Sequence, residues 1–167
     1  GYGEPIQRLF KLKDGEKVVA ALSLDPRAVG DIAAPPLAKR RSGSLDPDDP
    51  PVPPVHAVAV TPDGYALRFG LEPLVAPSTR SGRRYARPAS GAEVVGVATI
   101  TGDEILITAT ADARGLLCKA DEVNFLSGPG KGVILIKLTS KDDRVLGFIA
   151  STGDRDLLTV ETSRGAE

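Results

Sequence analysis

Two stretches of the chain carry cations without acids, a pattern that suits contact with phosphate. Between Glu72 and Glu93 lie 20 residues that include no Asp or Glu, and acids are again absent from Asn124 to Ser140. Lys and Arg give affinity for duplex DNA by neutralising phosphates and releasing counterions. Both stretches are therefore candidate DNA contacts. The first holds Arg80, Arg83, Arg84 and Arg87, and the second holds Lys131 and Lys137.

Glycines flank Lys131 in the second stretch. Because Gly130 and Gly132 carry no side chain, backbone N–H groups there could approach a phosphate closely. Arg68 and Lys119, which lie in strands that follow turns, are secondary DNA candidates. Such contacts would position DNA without reading its bases. The alternative interpretation is that these loops are basic only because they are exposed and solvated.

No other residue pattern predicts catalysis or a cofactor. Lys131 is followed by glycine rather than Ser or Thr, so the glycine-rich stretch is not a phosphate-binding P-loop. His56 is the only histidine and has no Cys or His neighbour at metal-ligand spacing. The one cysteine, Cys118, stands at an apolar strand position that is typical of a small core residue. We expect no metal, no cofactor and no small-molecule substrate.

Composition narrows the class of protein further. The chain has 167 residues and a formal net charge of −1, which excludes a uniformly basic protein but not a local basic surface. Aromatic residues make up only 4%, so the core must be mostly aliphatic. No apolar stretch approaches the roughly 20 residues that cross a bilayer, and we expect a cytoplasmic location without membrane contact. The length suits a single domain.

The chain divides into three parts by composition. Residues 1–25 resemble structured sequence, with an apolar run of strand length at Val18–Leu22. Residues 26–54 are rich in proline and hold a basic triplet and an acidic stretch, and we predict a mobile loop or linker there. Short apolar, β-branched runs return from residue 55 onward. The predicted strands are His56–Thr61, Tyr65–Phe69, Val94–Ile100, Ile105–Thr110, Val133–Leu138, Val145–Ala150 and Leu157–Glu161.

Most of these runs are continuous rather than alternating, which favours small sheets buried on both faces. A helix over Asp112–Leu126 is the one rival interpretation, although Ala113-Arg114-Gly115 also fits a hairpin turn. The sequence therefore predicts an all-β domain.

Self-comparison reveals a repeat of about fifty residues. Thr61-Pro62-Asp63-Gly64 opens one element, and Thr110-Ala111-Asp112-Ala113 opens the same element 49 residues later. A second element, Glu93–Val97, recurs 51 residues on as Arg144–Phe148. Four-strand units of this length are typical of propeller blades. The chain lacks an initial Met and stops inside a third such element, Thr162-Ser163-Arg164-Gly165, and we expect a segment of a longer array.

The order of these elements resembles the C-terminal domain of bacterial DNA gyrase A subunits, and equally that of topoisomerase IV A subunits. The repeats that carry the resemblance run from Val60 through Gly96 and from Thr108 through Gly147. Gly128-Pro129-Gly130-Lys131-Gly132 is similar to a degenerate form of the Gly/Lys box with which gyrase wraps DNA. Because Ser127 and Gly128 stand where that box begins with Gln and two Arg, the resemblance modestly favours topoisomerase IV.

The resemblance implies a β-pinwheel, a propeller-like ring of four-stranded antiparallel blades joined by strand exchange. About three blades would form an open or partial ring, with blade elements at 1–25, 55–110 and 111–167 and an insertion at 26–54. Duplex DNA would bend along a basic rim of the domain. The partners would be the remainder of the A subunit and the ATPase B subunit, and the cytoplasmic protein would be associated with the nucleoid. The domain would have no activity alone. The alternative is a propeller-like protein-interaction module without DNA binding.

Overall fold

The computed structural model describes residues 3–33, 51–76, 82–89, 92–153, 156, 161–162 and 165–166. Most of its regular structure is β, with two four-residue helices, α1 (Pro26–Val29) and α2 (Glu72–Val75), and 3-10 turns at Ile6–Arg8 and Ala120–Glu122. The strands are β1 (His56–Val60), β2 (Tyr65–Phe69), β3 (Gly96–Ile100), β4 (Ile105–Thr110), β5 (Gly115–Lys119), β6 (Phe125–Leu126), β7 (Val133–Ile134), β8 (Val145–Ser151), β9 (Glu161–Thr162) and β10 (Gly165–Ala166).

Blade one is the sheet built on β1, whose neighbours are β3 on one side and β2 on the other. Both pairings are antiparallel, and every residue of β1 is buried. Continuous burial explains why this strand is apolar at successive positions instead of alternating. The sequence prediction of small sheets buried on both faces is confirmed for this strand.

Blade two repeats the same order one repeat later. Strand β4 lies between β8 and β5, again with antiparallel pairing on both sides. It begins at Ile105, 49 positions after His56, which begins β1. The first hairpin of a third repeat follows as β9 paired with β10. The fifty-residue repeat in the sequence is therefore a repeat of strands, and the all-β, partial-pinwheel prediction is confirmed.

Segments of the second repeat cross into blade one. The outer edge of β2 pairs in parallel with β6 and antiparallel with β7, through Arg68 opposite Phe125 and Ala66 opposite Val133. Both added strands come from the chain that follows β5. This crossing gives blade one a fourth strand position, and it is the strand exchange that the resemblance implies.

The two blades pack face to face over one aliphatic core. Val58, Val60 and Ile100 of blade one share a buried cluster with Leu106 and Val145 of blade two. A second cluster lies on the opposite face of blade one, where Leu22 and Leu24 from the N-terminal segment pack against it. Blade one is thus covered on both faces, as a sheet that is apolar on both sides requires.

Several predicted boundaries and alternatives were wrong. Val133–Leu138 forms a strand only as far as Ile134, because the next N–H groups, at Leu135 and Ile136, both bond to the carbonyl of Gly64. Val18–Leu22 forms no strand. The alternative helix over 112–126 is replaced by β5, a 3-10 turn and β6.

The stretch predicted to be a mobile loop is only partly within the described residues. Pro26–Val29 forms a helical turn there, and the Asp25 carboxylate caps it by accepting from the N–H of Arg27 at 3.0 Å. Residues 34–50 lie outside the described residues. Among the residues that are described, no helix has the length and apolar character needed to span a bilayer.

Candidate nucleic-acid interface

The two acid-free stretches lie side by side in the fold. Ala86 and Gly130 form an isolated parallel bridge, and the N–H of Arg87 donates to the carbonyl of Gly130 at 2.8 Å. This contact follows from the strand exchange, because the chain that leaves β6 passes blade one before it reaches β7. The sequence predicts that the two stretches occupy equivalent positions of successive blades. In the structure they are instead in direct contact with each other.

Four exposed cations gather around this contact, and we call them the basic cluster: Arg83, Arg84, Arg87 and Lys131. Within the described residues, none of the three arginines forms an ion pair. Arg83 and Arg84 lie with Gly128 and Pro129 around the mouth of one cavity. Arg80 of the same predicted set lies outside the described residues.

Lys131 is held in place by two residues of blade one. Its Nζ lies 3.8 Å from the centroid of the Tyr65 ring and 3.9 Å from Oδ2 of Asp63. Nearly half of the Lys131 side chain is exposed, so these contacts orient the ammonium group without enclosing it. A cation–π contact of this kind is worth about 0.5–1 kcal/mol at an exposed site.

The two glycines beside Lys131 both lie close to residues of blade one. Gly132 has φ +84°, and a Cβ at this position would lie 2.0 Å from the carbonyl oxygen of Ala66. A Cβ at Gly130 would lie 2.6 Å from Cδ1 of Leu126. Close approach of the backbone to blade one therefore explains Gly132, independently of its predicted approach to phosphate, whereas the end of the Leu126 side chain can move to admit a Cβ at Gly130.

Arg68 has a different place from the one predicted for it as a secondary DNA contact. Its side chain is only 8% exposed, and the guanidinium donates to the carbonyls of Val123 and Asp121, at 2.5 and 3.1 Å. The guanidinium of Arg68 thus binds the backbone of the second repeat where it enters blade one. It is not part of the basic cluster, because its guanidinium is buried and bound to protein groups through all three of its nitrogen atoms.

His56 completes this buried contact. Its Nδ1 lies 3.1 Å from the carbonyl of Pro53 and must donate to it, which leaves Nε2 to accept from Arg68 at 3.3 Å. Burial, together with the nearby charge of Arg68, lowers the pKa of His56 to about 4. The imidazole is therefore neutral at physiological pH, as the contact with Arg68 requires.

The remaining predicted cations, Lys119 and Lys137, lie in the second repeat. Both are exposed, and among the described residues neither forms a hydrogen bond or ion pair with a member of the basic cluster. The carbonyl of Lys137 accepts from Nη1 of Arg114 at 2.8 Å. Arg114, which is not among the predicted residues, is a third exposed cation of the second repeat. Its position just after the Thr-x-x-Gly-like turn was the available signal.

Comparison with known proteins agrees with this architecture. A family model described as the DNA gyrase C-terminal domain, a β-propeller, matches residues 3–25 and 104–152. No curated protein sequence matches the chain.

Two solved structures share the fold. The C-terminal domain of DNA topoisomerase IV has a TM-score of 0.61 at 20% identity, over 68% of this chain and 37% of that one. The C-terminal domain of E. coli ParC has a TM-score of 0.60 at 21% identity, over 90% of this chain and 52% of that one. The chain thus spans about a third to a half of the structures it matches. The family match and the shared strand order make this chain similar to the DNA gyrase C-terminal β-propeller domain.

Proposed function

We propose that this chain is a DNA-binding accessory domain of a type IIA topoisomerase A subunit. It binds duplex DNA through the basic cluster, and Arg80, Lys119 and Lys137 extend the contact. The observation that carries the proposal is the convergence of the two acid-free stretches at the contact between Arg87 and Gly130. The chain itself supplies no strand-cleaving chemistry and acts with the remainder of the A subunit and the ATPase B subunit in the cytoplasm.

The chemistry of the basic cluster favours binding without sequence specificity. Long cations on loops contact phosphates and fix the position of the duplex, but they do not read base edges. Several adjacent phosphate contacts also stabilise a bent duplex, whose sequence preference then depends on deformability. Non-specific binding along a bend is what a domain that sets topology preference requires.

The test is the dependence of duplex affinity on salt concentration. The four phosphate contacts of the basic cluster alone should make log affinity fall against log salt with a slope of about −3 to −4, equal for two duplexes of unrelated sequence. Arg87→Ala should make the slope shallower by about 1. Arg8→Ala is the matched control, because Arg8 is also exposed but lies in the N-terminal segment and pairs with Glu4 at 3.5 Å. Salt-independent or absent binding at low salt would reject the proposal.

We further propose a role closer to topoisomerase IV than to gyrase. The supporting observation is the sequence before Pro129, where Ser127 and Gly128 replace the Gln and two Arg of the gyrase box. The A subunit that carries this domain, assayed with its B subunit, should relax supercoiled DNA without introducing negative supercoils. Net negative supercoiling would reverse this assignment.

A further inference from the structure

A groove of about 520 Å³ lies directly beneath two arginines of the basic cluster. Its volume falls within the range of about 300–1,000 Å³ that is usual for binding sites. The apolar part of its lining includes Phe69, Leu74, Phe125 and Leu126. Phe69 stacks on Tyr85, which also lines the groove, with the ring centroids 4.7 Å apart.

The groove would bind a ligand through its side chains more than through backbone hydrogen bonds. Four prolines border the groove, and proline has no N–H to donate. Arg83 and Arg84 stand at the same border, exposed and without a carboxylate partner among the described residues. Phosphates of a duplex would pair with the arginines but would leave the aromatic side chains of the groove, Phe69 and Phe125, exposed to water. A ligand that fills the site needs apolar and anionic groups next to each other. The prolines are Pro51, Pro53, Pro73 and Pro129.

We propose that this groove binds a short segment of a partner protein in which acidic and apolar side chains adjoin. The apolar side chains occupy the floor at Phe69 and Phe125, and the carboxylates pair with Arg83 and Arg84. The groove is lined by two arginines and one carboxylate, Glu72, so its net positive charge favours such a peptide over a neutral or basic one. The groove does not require DNA binding, but it shares two arginines with the proposed DNA surface, so peptide and duplex compete.

The experiment measures binding of a labelled heptapeptide of alternating leucine and aspartate by fluorescence anisotropy. We expect binding that is lost when asparagine replaces aspartate in the peptide, or when serine replaces leucine. Arg83→Glu with Arg84→Glu should weaken both the peptide and DNA at least tenfold. Arg87→Glu should weaken DNA alone, since Arg87 does not line the groove. The two sets of variants thereby distinguish a failure of the proposed DNA binding from a failure of the proposed peptide binding.

A groove-filling variant tests the location. A Cβ at Gly70 would point toward Phe125 and Pro53, at 3.7 and 3.9 Å, which is ordinary contact. Gly70→Leu should abolish peptide binding and leave DNA affinity unchanged. The matched control Gly70→Ala should retain both activities. Thermal unfolding checks that each variant is folded. No binding of the heptapeptide, or binding that survives Gly70→Leu, would overturn the proposal.

Two other occupants are distinguishable in the same assay. Peptide binding that appears only after deletion of residues 34–50 would assign the groove to the chain's own acidic stretch. Peptide binding that falls as protein concentration rises, together with dimer formation by sedimentation, would assign it to a second copy. Either result would overturn the assignment to a partner protein.

Discussion

The two blades place different residues at the same structural position. In blade one Arg68 pairs with Val58 of the central strand, and in blade two Leu117 pairs with Ile107, which stands 49 positions after Val58. Arg68 is 8% exposed, whereas Leu117 is 68% exposed. The charged residue is therefore buried and the apolar one faces solvent, the reverse of what their side chains alone would indicate.

The difference arises from what covers the edge of each sheet. The outer edge of β2 is covered by β6 and β7, and two residues that precede β6 supply carbonyls for the Arg68 guanidinium. No described strand pairs with the outer edge of β5. The burial of a residue on one blade thus depends on strands that the following repeat contributes. Equivalent residues of the two blades can be compared only when the strands that pair with each sheet edge are considered as well.

The largest effect is expected from removing the buried arginine. Arg68→Ala leaves the carbonyls of Val123 and Asp121 without a donor and removes the partner of His56, at an expected loss of about 4 kcal/mol. The midpoint of urea unfolding measures the loss. Leu117→Ala at the equivalent exposed position should change stability by less than about 0.5 kcal/mol. Similar losses for the two variants would show that the cover from the second repeat does not stabilise blade one.

The next effect concerns the backbone contact between the repeats. Gly132→Ala places a Cβ against the carbonyl of Ala66, at an unfavourable φ, and should lose about 3 kcal/mol of unfolding free energy. Gly128→Ala is the matched control, since no atom lies within 4 Å of a Cβ there. If both variants keep full stability but lose DNA affinity equally, the glycines act through phosphate and not through packing.

Between pH 6.5 and 5 the pH dependence of stability should arise mainly from blade one, because His56 is the only histidine. Its folded pKa of about 4 lies below its unfolded value of about 6.5, so the unfolded chain takes up the proton first. Stability should therefore fall by about 2 kcal/mol between pH 6.5 and 5, before most carboxylates titrate. NMR titration of this single imidazole measures the pKa directly. A midpoint near 6.5 would contradict the buried contact with Arg68.

The smallest expected change in stability concerns the hairpin turn of each blade. Gly64 has φ +82° in blade one, and Ala113 holds the equivalent position of blade two at φ +58°. Because a Cβ is unfavourable in this region, Ala113→Gly should raise stability by about 0.5–1 kcal/mol. Gly64→Ala should lower it, since the Cβ would lie 2.3 Å from the carbonyl of Ile136. A loss of stability in Ala113→Gly would show that blade two tolerates its turn without strain.

Local patterns predicted the strands, but not what lies next to them. Tyr65–Phe69 and Ile105–Thr110 were located to the residue, because apolar runs and turn residues act over a few positions. The burial of Arg68 depends on Val123, 55 residues later, and no local pattern carries that information. For the same reason the sequence found the members of the basic cluster but placed them on separate blades.

The most direct test of the proposed DNA surface compares the two repeats at one fixed salt concentration. Each of two triple variants removes three exposed cations, Arg83→Ala/Arg84→Ala/Arg87→Ala from the basic cluster and Arg114→Ala/Lys119→Ala/Lys137→Ala from the second repeat. We expect the first to weaken duplex binding at least about tenfold and the second by no more than about threefold. Equal losses, or a larger loss in the second, would contradict a DNA surface centred where the repeats meet.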